Sequence, residues 1–115
     1  MNKSAIIINP DMPTGLLANA VACITSGLFL NGEEYVGETI IGSDVTYIPI
    51  TKIPILILKP ANTPLIDLCK KAQQTGLKCM VFTKEAQTTT NYEEYTQRVK
   101  GKNINDVTIV GLGVI

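Results

Sequence analysis

Four short apolar runs along the chain have the length and composition of buried strands. They are 5–8, 53–58, 79–82 and 107–110. Continuous apolar runs of this length, bounded by turn residues, are typical of strands that are covered on both faces. Pro54 must then stand at the beginning of its strand, because proline cannot donate a ladder hydrogen bond. A weaker strand near 45–48 is predicted as a hairpin arm or a sheet edge.

Between these runs the apolar residues change to helical spacing. One face of the segment 14–30 carries five of them: Leu17, Ala20, Val21, Ile24 and Leu28. This period predicts an amphipathic helix packed on the sheet. Asp11 or Thr14 is the predicted N-cap, and Asn31-Gly32 is the predicted end.

Two further helices are predicted from their capping residues. Thr63 is the expected cap of the second, with Pro64 in its first position, and Gly76 ends it. Asn91 is followed three residues later by Glu94, which resembles a capping box and predicts a helix that runs to about Lys100.

Strands that alternate with helices predict an α/β domain over residues 1–115, with a small, mostly parallel sheet. The strands near 4–9, 53–59 and 78–83 are expected side by side, with their carboxyl ends at one edge of the sheet. A domain of this size leaves sheet edges that need cover, so a homodimer is predicted.

The charge balance changes the expected partners. Ten basic and ten acidic residues cancel, which speaks against nucleic acid as a partner. The sequence has no His, and Cys23, Cys69 and Cys79 are widely spaced inside apolar runs. We therefore expect reduced core thiols, no metal site and no cofactor. No apolar run is long enough for a signal peptide or a membrane helix, so a cytoplasmic protein without a membrane partner is predicted.

The segment 83–90 holds the densest set of polar groups that could do chemistry. It follows a predicted strand, where α/β proteins build sites. Glu85 is the candidate base and Thr89 the candidate hydroxyl donor to a developing oxyanion, with Lys84 and Thr88 as ligand-binding neighbours. The structural alternative is a solvated turn in which Thr89 or Thr90 caps the next helix.

The start of the first helix is expected to face this loop. Thr14 and Gly15 could offer free backbone N–H groups to an anionic group, and Asn19 a side-chain amide. The alternative is an ordinary capped helix start. Gly111-Leu112-Gly113 lacks the rest of a dinucleotide motif, so turn glycines are the preferred interpretation.

Three segments together resemble the type II peptidyl-tRNA hydrolases, and more closely a bacterial family of uncharacterised proteins that shares their fold. The first joins Ala5-Ile-Ile-Ile-Asn-Pro to Thr14-Gly15-Leu16-Leu17-Ala18-Asn19-Ala20. The second runs from Ile53 to Lys78. The third, Lys84-Glu85-Ala86-Gln87-Thr88-Thr89, is similar to the Gln-Asp-Ala-Gly-Arg-Thr loop of the enzymes and precedes a closing strand.

The resemblance implies a three-layer α/β/α sandwich with a small mixed sheet, often dimeric. It places Glu85 at the position of the enzymes' Asp and Thr89 at that of their Thr, but Leu16 at that of their helix-start Lys. Efficient peptidyl-tRNA hydrolysis is therefore not expected, because an apolar residue cannot stabilise an oxyanion. The enzymes continue beyond the closing strand, which leaves a truncation at Ile115 as an alternative.

Two hypotheses for function remain open at this stage. The first is a hydrolase of acyl or ester bonds that acts through Glu85 and Thr89. The second is a non-catalytic module that binds a small ligand or another protein. A buried carboxylate in a pocket would favour the enzyme. An apolar pocket around Leu16, with Glu85 turned to solvent, would favour the binding module.

Overall fold

The computed structural model describes residues 3–115. Within these residues the strands and helices follow one another as β1 (Ser4–Ile8), α1 (Thr14–Leu28), β2 (Ile40–Ile41), β3 (Thr46–Tyr47), β4 (Ile55–Leu58), α2 (Leu65–Gln74), β5 (Cys79–Thr83), α3 (Lys84–Gln87), α4 (Tyr92–Val99) and β6 (Ile109–Val114). The predicted strands and helices are confirmed, with ends that differ by a few residues. Pro54 immediately precedes β4, as required.

The main sheet is mixed, and its strand order is β4-β1-β6-β5. β1 runs parallel to β4, whereas β6 is antiparallel to both of its neighbours. The prediction of a mostly parallel sheet was therefore wrong, because only one of the three strand pairs in this sheet is parallel. β1, β4 and β5 do point in one direction, as expected, but β6 separates β1 from β5.

The reversed direction of β6 follows from the connection that precedes it. The backbone N–H of Lys84, at the end of β5, donates to the carbonyl oxygen of Thr108 at 2.8 Å. The connection from β5 to β6 therefore begins and ends at the same edge of the sheet. A strand that starts at the edge where its neighbours finish can only run antiparallel to them.

Helices cover both faces of the sheet, which gives the predicted three layers. On one face α1 packs on β1, β5 and β6. The core there consists of six buried residues: Ile6, Ile8, Ala20, Ile24, Phe82 and Val110. On the other face α2 packs on β5 and β6, where Leu68 and Ala72 lie beside Ile7 and Leu112.

Gly111 and Gly113 lie inside β6 rather than in a turn, which corrects the sequence-based interpretation. A Cβ atom on Gly113 would lie 2.6 Å from Cγ2 of Ile24 and 3.2 Å from Cδ2 of Leu28. These distances are below van der Waals contact, so α1 can approach the sheet only where β6 has no side chain. The glycines set the distance between α1 and the sheet.

The predicted caps were wrong for two helices and right for the third. Pro13 and Pro64 occupy the N-cap positions of α1 and α2, and neither helix has a side-chain cap. Both prolines have extended ψ angles, so each helix begins one residue beyond its proline. The side chain of Asn91 does cap α4, accepting from the N–H groups of Glu93 and Glu94 at 2.9 and 3.2 Å.

A long β-ribbon connects α1 to β4, and we call residues 36–52 the arm. β2 and β3 form its hairpin, with Ile40 opposite Tyr47. The strand predicted near 45–48 is therefore a hairpin arm and not a sheet edge, and its partner β2 was not predicted. Backbone hydrogen bonds continue to its base, where the N–H of Lys52 donates to the carbonyl of Tyr35 at 2.7 Å. Residues 38–48 are all exposed.

Among residues 3–115, no helix combines the length and the hydropathy that crossing a membrane requires.

Candidate functional site

Half of the predicted loop 83–90 is the short helix α3. Thr83, which is buried, caps α3 by accepting from the N–H of Ala86 at 3.3 Å. The side chain of Gln87 reaches across to the first helix, where its Nε2 donates to the carbonyl oxygen of Leu16 at 3.2 Å. The loop and the start of α1 therefore meet at one edge of the sheet, as the strand directions predicted.

Glu85 binds the backbone that leads into β6. Its two carboxylate oxygens lie 3.0 and 3.3 Å from the N–H of Thr108. The neighbouring Lys84 contributes its backbone N–H to the carbonyl of the same threonine, while its side chain is exposed. This arrangement fixes the carboxylate by a charge-assisted hydrogen bond to the main chain.

The hydroxyls of Thr88 and Thr89 connect α3 to α4. Thr88 Oγ1 donates to the carbonyl of Lys84 at 2.8 Å and accepts from Arg98 Nη1 at 3.1 Å. Thr89 Oγ1 accepts from the N–H of Asn91 and lies 3.2 Å from Oε2 of Glu94. The N-cap of α4 is Asn91 and not Thr89 or Thr90, so the capping role foreseen in the structural alternative was wrong, although Thr89 does accept from the N–H of the capping residue.

The remaining predicted residues lie along α1 and do not converge on Glu85. Thr14 faces the crevice on the β4 side of α1, beside Lys59. Gly15 borders open space. Asn19 is exposed, and its Oδ1 is 3.9 Å from the sulfur of Cys23. Cys23 in turn lies on the β5 side of the helix. Of the seven predicted residues, only Thr89 comes to the same place as Cys23, the neighbour of Asn19.

That place is a pocket between α1, β5 and the α3–α4 corner, and we call it the Thr89 pocket. Its volume is about 280 Å³. Apolar groups form most of its wall and polar groups lie at its rim. The lining residues are Cys23, Met80, Phe82, Ala86, Thr89, Thr90, Asn91, Tyr92 and Tyr95. Glu85 is not among these residues.

Two tyrosines form the α4 side of the pocket. The rings of Tyr92 and Tyr95 meet edge to face, with centroids 5.6 Å apart. Burial raises the pKa of the Tyr95 hydroxyl, and the nearby Tyr92 and Glu85 raise it further. The hydroxyl therefore stays protonated over the physiological range and remains a hydrogen-bond donor.

Sequence reasoning missed most of this pocket. Its aromatic wall could have been found, because Tyr92 and Tyr95 are three residues apart on a predicted helix and so share a face. The partner of Glu85 could not, because Thr108 is 23 residues away along the chain. A larger cleft of about 600 Å³ beside Asn9 and the start of α2 contains none of the predicted site residues.

No group of three or more His, Cys, Asp or Glu residues that could hold a metal ion occurs in the part of the chain that the structure describes.

The thiols of Cys69 and Cys79 lie close together at the α2–β5 corner and are free. Burial raises the pKa of Cys79 from its ordinary value of 9.0 to about 11, and the neighbouring Cys69 adds to the shift. Burial also raises the pKa of Cys69.

We expect Cys79 to resist alkylation in the native protein. Only the thiolate reacts, and a pKa near 11 instead of 9.0 lowers the thiolate fraction about 100-fold at about pH 8. Intact-mass measurement after iodoacetamide treatment should show Cys23 modified first, and all three cysteines modified once the chain is denatured. Equal native labelling rates at Cys23 and Cys79 would contradict this prediction.

Comparison with known proteins gives a family and a fold. The sequence profile of a family described as "Protein of unknown function (DUF2000)" matches residues 2–115. No curated protein matches the chain. A solved structure of the protein of unknown function Atu0240 from Agrobacterium tumefaciens str. C58 is similar, with a TM-score of 0.86 and 19% identity over 97% of this chain and 84% of that one. Neither match names a peptidyl-tRNA hydrolase, so that resemblance stays a prediction.

Proposed function

The chain belongs to the DUF2000 family, and we propose that it binds a small, largely apolar molecule in the Thr89 pocket without chemically changing it. The observation that carries this proposal is that the Glu85 carboxylate already has a partner in the main chain and does not line the pocket. Thr89 lies at the rim of the pocket, whereas the carboxylate of Glu85 binds the N–H of Thr108.

The wall of the pocket supports an apolar ligand. Met80, Phe82 and Ala86 offer only carbon and sulfur atoms, and the tyrosine rings add aromatic faces. Ligand sites typically combine such walls with a few polar groups that fix orientation. The rim supplies these groups through Thr90, Asn91 and the tyrosine hydroxyls. The volume of about 280 Å³ suits one ring system or a short acyl chain.

The surroundings of the candidate catalytic residues favour binding without turnover over acyl or ester hydrolysis. The Thr89 hydroxyl has its partners within the chain: it accepts from the N–H of Asn91, and it lies 3.2 Å from the carboxylate of Glu94 and 3.4 Å from the carbonyl oxygen of Asn91. The resemblance to the peptidyl-tRNA hydrolases would place their helix-start cation at Leu16, which is apolar and exposed. A transition-state oxyanion would then lack a charged partner, and losing one such contact commonly lowers the rate by about 10²–10³.

We expect indole, a flat apolar probe with one N–H donor, to bind this pocket. Titration at millimolar indole should shift the backbone amide resonances of residues 89–92 and of Cys23. Ala86→Leu should weaken binding at least about tenfold, because the larger side chain fills the pocket. Ala22→Leu is the matched control, since Ala22 is exposed on α1, and it should leave the affinity unchanged. Absence of shifts at these amides in the wild-type chain would refute the pocket.

The proposal that the protein does not hydrolyse its ligand has a separate test. A Cys23→Ser background removes acylation of the pocket thiol, and p-nitrophenyl acetate and peptidyl-tRNA serve as substrates. Glu85→Gln keeps an oxygen that accepts from Thr108 but removes the charge. We expect the Cys23→Ser protein, with or without Glu85→Gln, to hydrolyse both substrates no faster than buffer alone does. Hydrolysis well above that rate, lost in the Gln variant, would favour the hydrolase instead.

A further inference from the structure

A single copy of this chain exposes more surface than a compact protein of its mass. Its accessible area is 7859 Å². A folded monomer of 12.4 kDa is expected to expose about 6,100 Å². The surplus is therefore about 1,700 Å². The shape agrees, because the longest dimension is 51 Å against 33 and 27 Å for the others.

Much of this surplus lies on the arm, and it is apolar. Ile41 is 84% exposed and Ile48 is 88% exposed. Four more apolar side chains of the arm are also exposed: Ile40, Val45, Tyr47 and Ile50. A two-stranded ribbon is at best marginally stable alone in water. An apolar ribbon of this kind needs a surface to pack against.

A second uncovered apolar surface is β4. It is the edge strand of the sheet, next to β1 only. Leu56, Ile57 and Leu58 are each about half exposed. Successive side chains point to opposite faces, so both faces of β4 are open. α1 covers β1, β5 and β6, and α2 covers β5 and β6, which leaves β4 beyond both helices.

We propose that the chain forms a two-fold symmetric homodimer in which the arm of each copy packs across β4 of the other. Symmetry makes one chain the source of both complementary surfaces, so each interface forms twice. The surplus area of two copies is about 3,400 Å², within the range of obligate homodimers. The proposal is independent of the Thr89 pocket, which lies on the β5 side of the molecule.

Several features favour a second copy over the same chain folding back. The base of the arm is held by hydrogen bonds from Lys52 to Tyr35 and from Gly37 to Ile50, at 2.7 and 2.8 Å. Only residues 53 and 54 separate this base from β4. The arm therefore cannot turn onto its own β4 without breaking those bonds. In addition, β4 itself carries no charge, so its partner surface must be apolar.

The oligomeric state of the full chain tests the proposal. Light scattering of the wild-type protein at micromolar concentration should give twice the 12.4 kDa chain mass. Ile48→Asp on the arm and Ile57→Lys on β4 should each raise the dimer Kd at least about 1000-fold, because each change occurs twice in a symmetric dimer. Leu30→Asp alters another exposed apolar residue, outside both surfaces, and should leave the dimer intact.

Mixing the two variants distinguishes arm exchange from direct β4-to-β4 pairing. A heterodimer of Ile48→Asp with Ile57→Lys has one wild-type arm on a wild-type β4, and opposite charges at the other interface. We expect the dimer mass to return on mixing. A monomeric wild-type chain, dimers that survive both changes, or no recovery on mixing would each overturn the proposal. Circular dichroism checks folding, and Ile41→Asp replaces Ile48→Asp if that variant does not fold.

Discussion

Replacing Ile24 with Ala is expected to lower the free energy of unfolding by about 2–5 kcal/mol. Ile24 is fully buried at the centre of the contact between α1 and the sheet, among Ile6, Phe82 and Val110. The change removes apolar contact and leaves a cavity, because the β6 backbone directly beneath has no side chain that could fill it. Urea denaturation at one fixed protein concentration measures the loss.

Leu30→Ala is the matched control for this prediction. This substitution also removes a branched aliphatic side chain, but Leu30 lies just beyond the end of α1 and is 66% exposed. Its loss should change the free energy of unfolding by at most about 0.5 kcal/mol. Equal losses for the two variants would show that Ile24 is not part of a close-packed core.

Gly113→Ala is expected to destabilise the protein by about 1–3 kcal/mol, although the change adds only one methyl group. The new Cβ would lie 2.6 Å from Cγ2 of Ile24. That methyl belongs to a β-branched side chain with little rotamer freedom in a helix, so it cannot move aside. Gly15→Ala is the control, because Gly15 has no neighbour within 4 Å of the added atom, and it should cause no loss.

The two changes should be coupled. Ile24→Ala removes the Cγ2 atom that the new methyl would meet, so Gly113→Ala should cost less in that background. We expect an interaction free energy of about 0.5–3 kcal/mol in a double-mutant cycle, measured by the same denaturation. Strict additivity would mean that α1 shifts away from β6 as a whole, and that the contact with Gly113 does not set their distance.

Much of the fold could be predicted because local periods encode it. The apolar face of α1 and the β-branched runs of β1 and β4 each fit only one kind of element. The carboxyl ends of β1, β4 and β5 were expected at one edge, and the contact of Gln87 with the carbonyl of Leu16 agrees. The strand near 45–48 was likewise predicted from its residues and the turn signals that flank it, whereas its pairing in a hairpin was only one of two alternatives.

The direction of β6 and the role of its glycines could not be predicted. An apolar run indicates a strand but not the way it points, which here depends on the hydrogen bond between Lys84 and Thr108. A glycine beside a strand signals a turn as readily as a close helix contact. Only the position of Ile24 above Gly113 decides between these two meanings.

The sequence predicted where the candidate site lies in the fold, but not what each of its residues does. Strand direction brought the segment 83–90 near α1, but it could not tell which polar groups already have partners. Glu85 and Thr89 are four residues apart in sequence, yet one binds the strand that follows and the other borders a pocket. Long-range hydrogen bonds decide such assignments, and a single sequence does not contain them.

The place of β6 between β1 and β5 has a consequence for the newly made chain. β5 joins the sheet through β6, which is synthesised about 25 residues later than β5 and is the last of these strands to leave the ribosome. Until then a nascent chain can pair β1 with β4, but β5 has no strand beside it. Stalled or incomplete chains should therefore expose the apolar residues of β5 and attract chaperones. Completion of the sheet is tied to completion of translation through residue 114.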